Sequence, residues 1–468
     1  MMKWSPTFSV YLERRMARIL LLGIISGFPW VLIGSSLSLW LKEDGLSRST
    51  IGWAGLIFGV YALNFLWAPL IDRLRVPYLT PKLGHRRAWI VMSQALIFVC
   101  LVGWSLTDPG VHLWGVIAIG LVIAIASATQ DITIDALRIE QIGTDEGQSM
   151  AAGAAVAVAG WWTGYKLGGV VALNTADAFQ SAGVENYWQM TFLVLGLMII
   201  ACNIALMFVP ELPPTDRAAA QSTDDRVIAS KLGFGGGTGH VVAWLVGTVV
   251  GPLMSFFRRN GFAIAVAILG FIFLFKIGEA FLGRMSIVFY KEIGFSKSDI
   301  ALYSKGIGWV TTVVFTLLGG LFAIRIGLVR AMFLSGILMA VTNLMFSWLA
   351  WAGPVESLFA AAVLLDDLAA AFATVTFVAF ISMLVDRTYT ATQYALLASI
   401  GTAGRTLFAS SSGALVDWLD GDWGIFFVIT ALMVVPSLIC LWVLRHRLTA
   451  MLVGAQVRLF SKGVEQGS

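Results

Sequence analysis

Twelve apolar runs of spanning length, separated by short polar turns, dominate this chain. Their limits are 17–41, 51–71, 88–107, 113–137, 148–174, 189–209, 260–290, 299–323, 330–350, 354–384, 390–416 and 423–444. About 20 apolar residues at a helical rise of about 1.5 Å match the thickness of a bilayer's hydrocarbon core, where a helix satisfies its own backbone. The runs therefore predict an all-α membrane protein of twelve transmembrane helices. Composition agrees: 58% of the 468 residues are hydrophobic and 12% charged, with mean hydropathy +0.84. Soluble domains carry about twice that charge, which argues against a soluble multidomain enzyme. The pI near 9.0 does not mark a nucleic-acid binder, because the bases fall in short loops between apolar runs. Cys100, Cys202 and Cys440 each lie inside a run, so neither a disulfide nor a metal site is expected. The first run is too long for a cleavable signal and lacks a small-residue cleavage site; it reads as the first span.

Lysine and arginine set the orientation. The N-terminus, the even-to-odd loops and the C-terminus hold 22 of the 31 bases, among them Arg14, Arg15, Arg73, Arg86, Arg87, Arg325, Arg330, Arg387 and Arg445. The opposite loops hold 4: Lys42, Arg48, Lys291 and Lys297. Both termini are thus expected in the cytoplasm. The remaining 5 bases, Lys166, Lys276, Arg284, Lys305 and Arg405, fall inside spans.

The longest connection divides the chain into two sets of six. The expected organisation is a bundle over 1–209, a cytoplasmic linker over 210–259, a second bundle over 260–446 and a tail over 447–468. Pro213-Pro214 and Gly235-Gly236-Gly237 mark the linker. Within it the uncharged stretch 241–257 reads as an interfacial helix or as an extension of span seven; crossing the membrane there would invert the charge bias of every later loop. The halves echo each other. Arg73 after span two and Arg325 after span eight are offset by 252, and Gln148 opening span five and Gln393 opening span eleven by 245. Near-equal offsets suggest a duplicated six-helix unit.

Charged groups inside such spans carry the functional argument, because they are costly unless they face water or a partner. Ser127, Asp131 and Asp135 follow one another at intervals of four, on one face of a helix. Asp131 lies deeper; Asp135 is close enough to the end of its span to pair with Arg138. Lys276, Glu279, Asp366, Asp367 and Arg405 fall near mid-depth. Lys276 can pair with Glu279 at i, i+3, and Arg405 with Asp366 or Asp367. Trp161, Trp162, Tyr165 and Lys166 cluster in span five; adjacent tryptophans cannot share a face, so at most one of them lines a cavity. Gly160, Gly164 and Gly168 form a small-residue face for close helix contact, a place where two halves could rock. His85, His112, His240 and His446 lie in loops or near span ends, and Gly233 to Gly239 lacks the Lys-Ser/Thr of a phosphate loop. No metal, no cofactor and no direct use of ATP is expected.

Asp72-Arg73 followed by Gly84-His-Arg-Arg87 resembles the signature loop of the major facilitator superfamily, with a degenerate echo around Gly319-Gly320 and Arg325. An acid there can pair with nearby arginine and lie against the positive N-terminus of another helix. Asp72, Arg73, Arg87 and Arg138 are the expected gate. Ser26-Gly-Phe-Pro29, Phe65-Leu-Trp-Ala-Pro-Leu-Ile-Asp-Arg73, Gly84-His-Arg-Arg-Ala-Trp89 and Ser127-Ala-Thr-Gln-Asp-Ile-Thr-Ile-Asp135 together resemble the AmpG-type muropeptide permeases. Siderophore importers and acetyl-CoA transporters carry related Ala-Thr-Gln-Asp stretches.

The resemblance implies a monomeric importer of the bacterial inner membrane that takes an anionic anhydro-disaccharide peptide to the cytoplasm with protons. Another anionic conjugate, or a non-transporting assembly factor of the same fold, is the competing expectation. For proton coupling the candidates are Asp131, Asp135, Glu279, Asp366 and Asp367, with Asp131, failing that Glu279, as carrier. For cargo they are Gln130, Trp161, Tyr165, Lys166, Lys276, Arg284 and Arg405.

Overall fold

The computed structural model describes residues 6–46, 54–143, 146–211, 248, 251–295, 308–409 and 411–465. Each of the twelve apolar runs is largely helical among its described residues. Spans one (Arg14–Glu43), three (His85–Ser105), four (Pro109–Glu140), six (Tyr187–Leu206), seven (Phe262–Glu292), nine (Leu328–Ala352), ten (Glu356–Leu384) and twelve (from Trp423) are long and apolar enough to cross a membrane. Spans two (54–73) and eight (Gly308–Ile326) hold shorter apolar helices. Span five (Gly147–Ser181) is less hydropathic because it is built on Ala and Gly. Span eleven (Thr390–Ala409) is so because it carries Thr, Gln, Ser and Arg405.

Several spans are broken, and the breaks lie beside the charged groups. Span one carries Pro29, whose missing N–H interrupts the helical ladder, and then a π-helical turn over Leu32–Ser36. Span seven is interrupted at Lys276, which leaves helical geometry (φ −108°, ψ 15°) between Phe262–Leu274 and Ile277–Glu292. Span two alternates short α and 3-10 pieces up to Arg73.

The glycine face of span five works within the first half. A Cβ at Gly160 or Gly164 would run into the carbonyl oxygens of Leu20 or Ile24 of span one, and one at Gly23 or Gly27 would meet the span-five backbone. This corrects the expectation that the stripe is where the two halves rock: it locks spans one and five backbone to backbone. Between the halves span five turns another face, with Ala155 against Gly320 of span eight.

Residues 212–247 of the expected linker lie outside the described part, as do Arg48, Lys297 and Lys305. Residues 251–260 are helical, and Gly261 (φ +78°) separates them from span seven, so they are not a continuous extension of it. That helix is tied instead to the loop before span eleven. Ser255 Oγ donates to Asp386 Oδ2 at 2.6 Å, and Gln393 Nε2 donates to the Pro252 carbonyl at 2.9 Å.

Candidate functional site

The structure brings polar side chains together in three places. The first is the base-rich end, where Asp72 closes the last turn of span two. Its carboxylate is fully buried, as is the guanidinium of Arg86. Arg86 Nη2 donates to Asp72 Oδ1 at 2.7 Å and to Glu140 Oε1 at 2.9 Å. The same carboxylate accepts from the other half of the molecule. Thr392 donates to Oδ2 through its backbone N–H at 2.8 Å and its hydroxyl at 2.6 Å, and the Ala391 N–H reaches Oδ1 at 3.2 Å. Span eleven starts there, so Asp72 occupies the electropositive helix end whose N–H groups have no partner within the helix.

More links join the halves at this end. Arg138 Nη2 donates to Asp135 Oδ1 at 2.9 Å and to Ser382 Oγ in span ten at 3.0 Å. Arg387 donates to the carbonyls of Ile139 and, at 2.6 Å, Ile142. Tyr11 donates to the Leu317 carbonyl at 3.1 Å.

The expected partners of Asp72 need correcting. Arg86 reaches it, whereas the Arg87 backbone N–H donates to Glu211 and its side chain turns to Met207. Arg138 is paired with Asp135, and Arg73 lies half-buried beside Asp72 in the same turn. The helical phase of span three carries the reason. Arg86 falls on the buried stripe of Ile90, Ile97, Leu101 and Trp104, and Arg87 one residue off it. That phase, and the Glu140 at the end of the Asp-rich span, were the available signals.

The second place surrounds Asp131, half-buried in span four. Ser26 Oγ donates to Oδ1 at 2.6 Å and Trp30 Nε1 to Oδ2 at 3.2 Å. Ser26 and Trp30 are one turn apart on span one, on either side of Pro29. Asp131 forms no ion pair with a described base. An aromatic wall adjoins it. Trp30 lies 4.3 Å from Tyr61, 5.1 Å from Phe58 and 5.4 Å from Trp161 between ring centres. Trp161 stacks on Tyr165 at 5.6 Å, and Lys166 Nζ is 6.0 Å from the Tyr165 ring centre. Trp30 and Tyr61 were not among the expected residues; their spacing from Asp131 is visible only in three dimensions. Gln130 does not join this surface. It is fully buried, and its Nε2 donates to the Ile25 carbonyl at 2.9 Å, so it ties span four to span one.

The third place is in the second half. Lys276, at the break in span seven, donates to Glu279 at 3.0 Å and to Thr374 Oγ1 at 2.7 Å. Thr342 donates to Asp366 Oδ1 at 3.2 Å and Thr311 to Asp367 Oδ2 at 3.1 Å. Arg405 is exposed and forms no ion pair with a described acid, so the expected pairing with Asp366 or Asp367 is absent. Asp366, Asp367 and Glu279 are all half-buried. The side chain of Arg284 lies outside the described part. Among the described residues no group of His, Cys, Asp and Glu could hold a metal ion.

The fold is a known one. The proton:xylose symporter XylE, bound to 6-bromo-6-deoxy-D-glucose, superposes with a TM-score of 0.62 at 14% identity, covering 94% of this chain and 95% of that one. The human organic anion transporter MFSD10 gives 0.56 at 17%, covering 94% and 100%. In sequence, the anhydromuropeptide permease of Escherichia coli K12 is 31% identical over 445 residues, which is 95% of this chain and 82% of that protein. The family model described as Major Facilitator Superfamily matches residues 19–308. The all-helical, many-span fold, the Asp72 loop and this relationship agree: the chain is a multi-pass transporter of the major facilitator superfamily, not an enzyme, and belongs to its AmpG-type permeases.

Proposed function

We propose that the chain imports anhydromuropeptides, disaccharides carrying a short peptide, from periplasm to cytoplasm of a bacterial inner membrane with protons. In this reading both termini and the base-rich end are cytoplasmic. The observation that carries it is the pairing of two unlike surfaces within the spans. The first half presents an aromatic wall of Trp30, Tyr61, Trp161 and Tyr165 beside Asp131; the second presents Lys276 and Arg405 among carboxylates. Aromatic faces suit sugar rings, and cations suit peptide carboxylates. A cargo with both parts would meet both surfaces. Bonds between the halves at the Asp72 end fit a conformer closed toward the cytoplasm, in which Asp131 loads cargo and proton from the other side.

The test is uptake of labelled anhydro-disaccharide tripeptide into proteoliposomes. An inward proton gradient should concentrate the compound, and a protonophore should abolish the concentration. Uptake unaffected by the gradient would sink the proton coupling; no uptake of the glycopeptide under any gradient would sink the cargo.

A further inference from the structure

Two cavities open at the base-rich end of spans nine and twelve, outside the regions described above, and they share Val329 and Arg330. One, of about 300 Å³, is a groove between the two spans. Phe333, Leu334, Leu441 and Trp442 form its length, and Arg330 and Arg445 stand at its end. The other, of about 350 Å³, adjoins it between the halves, lined by Gln148 of span five together with Arg330 and Thr449. Arg330 is exposed and makes no ion pair with a described acid. Arg445 packs over the Trp442 ring at 4.1 Å and, among the described residues, donates only to the Trp442 carbonyl at 3.2 Å. Leu334 and Trp442 are themselves exposed.

We propose that this groove binds one anionic glycerophospholipid of the leaflet at the base-rich end. Charge complementarity names the occupant. Two arginines without an acid partner among the described residues stand at the polar end of an otherwise apolar, outward-facing slot, and a lipid phosphate supplies the missing negative charge. One acyl chain lies along Phe333, Leu334, Leu441 and Trp442. The headgroup turns into the second cavity, toward Gln148. Since that cavity is walled by span five of one half and by spans eight and nine of the other, the lipid bridges the halves.

Native mass spectrometry of the full chain, with phosphatidylglycerol or phosphatidylcholine added in detergent, reads the proposal directly. The unmodified protein should retain phosphatidylglycerol over phosphatidylcholine by about tenfold or more, as two basic contacts imply. Arg330→Gln with Arg445→Gln should remove the preference. Arg75→Gln with Lys82→Gln, an equal loss of charge on exposed residues elsewhere, should keep it. Leu334→Trp, with both arginines intact, should block the groove and reduce phosphatidylglycerol retention, and decides the matter if the double arginine variant fails to fold. Equal retention of the two lipids, a preference that survives loss of both arginines, or retention unchanged in Leu334→Trp would overturn it. Displacement by millimolar inorganic phosphate would also overturn it, because the site would then read phosphate without the lipid.

Discussion

Asp72 in the first half and Thr392 in the second are joined twice, through the backbone N–H at 2.8 Å and the hydroxyl at 2.6 Å. The carboxylate is simultaneously held by Arg86, so one buried acid serves an ion pair within its half and a helix end across the interface. Removing it would leave the Arg86 charge without one of its two carboxylates and the start of span eleven without its acceptor. Breaking a buried pair from one side costs about 3–5 kcal/mol, and here only the closed state bears the interface share of that cost. Asp72→Ala should therefore populate the conformer open at this end. With Cys100, Cys202 and Cys440 replaced, a cysteine at Ala395, now 2% exposed in the interface, should become labelled at least tenfold faster. Unchanged labelling would reduce the loop to a topology signal.

Arg86 and Arg87 should behave differently. Arg86→Gln removes a buried guanidinium shared by Asp72 and Glu140, and should lower yield and melting temperature severely while opening the same end. Arg87→Gln loses only a contact with Met207 and should stay within about 0.5 kcal/mol of the parent. Equivalent effects would contradict the assignment of Arg86 as the partner.

Much of the helical architecture was legible in the sequence because hydropathy records it directly. The destination of Asp72 at a helix N-terminus was legible too. The choice of Arg86 over Arg87 needed helical phase, which a motif does not display. The clasp of Ser26 and Trp30 on Asp131 was not legible, since it depends on how the Pro29 kink aims span one. Arg405 was assigned an acid partner because burial was assumed from depth. Depth in a bilayer does not distinguish a packed interior from a wet cavity.

Acid should loosen the end of span five in a defined direction. Glu146, just before Gly147, is hydrogen-bonded by Arg15, and this contact holds its carboxyl below the usual value. A depressed acid contributes stability above the ordinary carboxylate range and loses it as pH falls through the lowered value. The pair is partly exposed, so the effect is small. Melting temperatures of the parent and Glu146→Gln should differ by a constant amount near neutral pH and converge as pH falls below the ordinary carboxylate range. Parallel curves down to the lowest pH at which the protein folds would refute the linkage.

Asp131 accepts from two neutral donors and has no described base within ion-pairing distance, so taking up a proton there would break no ion pair with a described base. Asp131→Asn should abolish gradient-driven accumulation while leaving cargo exchange within a few-fold of the parent. Accumulation that persists in the variant would move the carrier role to Glu279, Asp366 or Asp367.

Arg405 offers the sharpest test of cargo recognition, because the structure leaves it exposed and without an acid partner among the described residues. A guanidinium can hold a carboxylate with two parallel hydrogen bonds, and Lys276, close enough to feel its charge, adds a second cation already shared with Glu279. Losing one such contact costs about 1–3 kcal/mol, or roughly ten- to hundredfold in affinity. Arg405→Ala should therefore weaken binding of the peptide-bearing disaccharide by that factor and leave the bare anhydro-disaccharide nearly unaffected. Folding yield should hold, since the change orphans no described acid. If Arg405 served packing alone, yield would fall and both ligands would weaken together. Affinities for the two compounds on one purified variant separate these outcomes, and equal losses would remove Arg405 from the recognition surface.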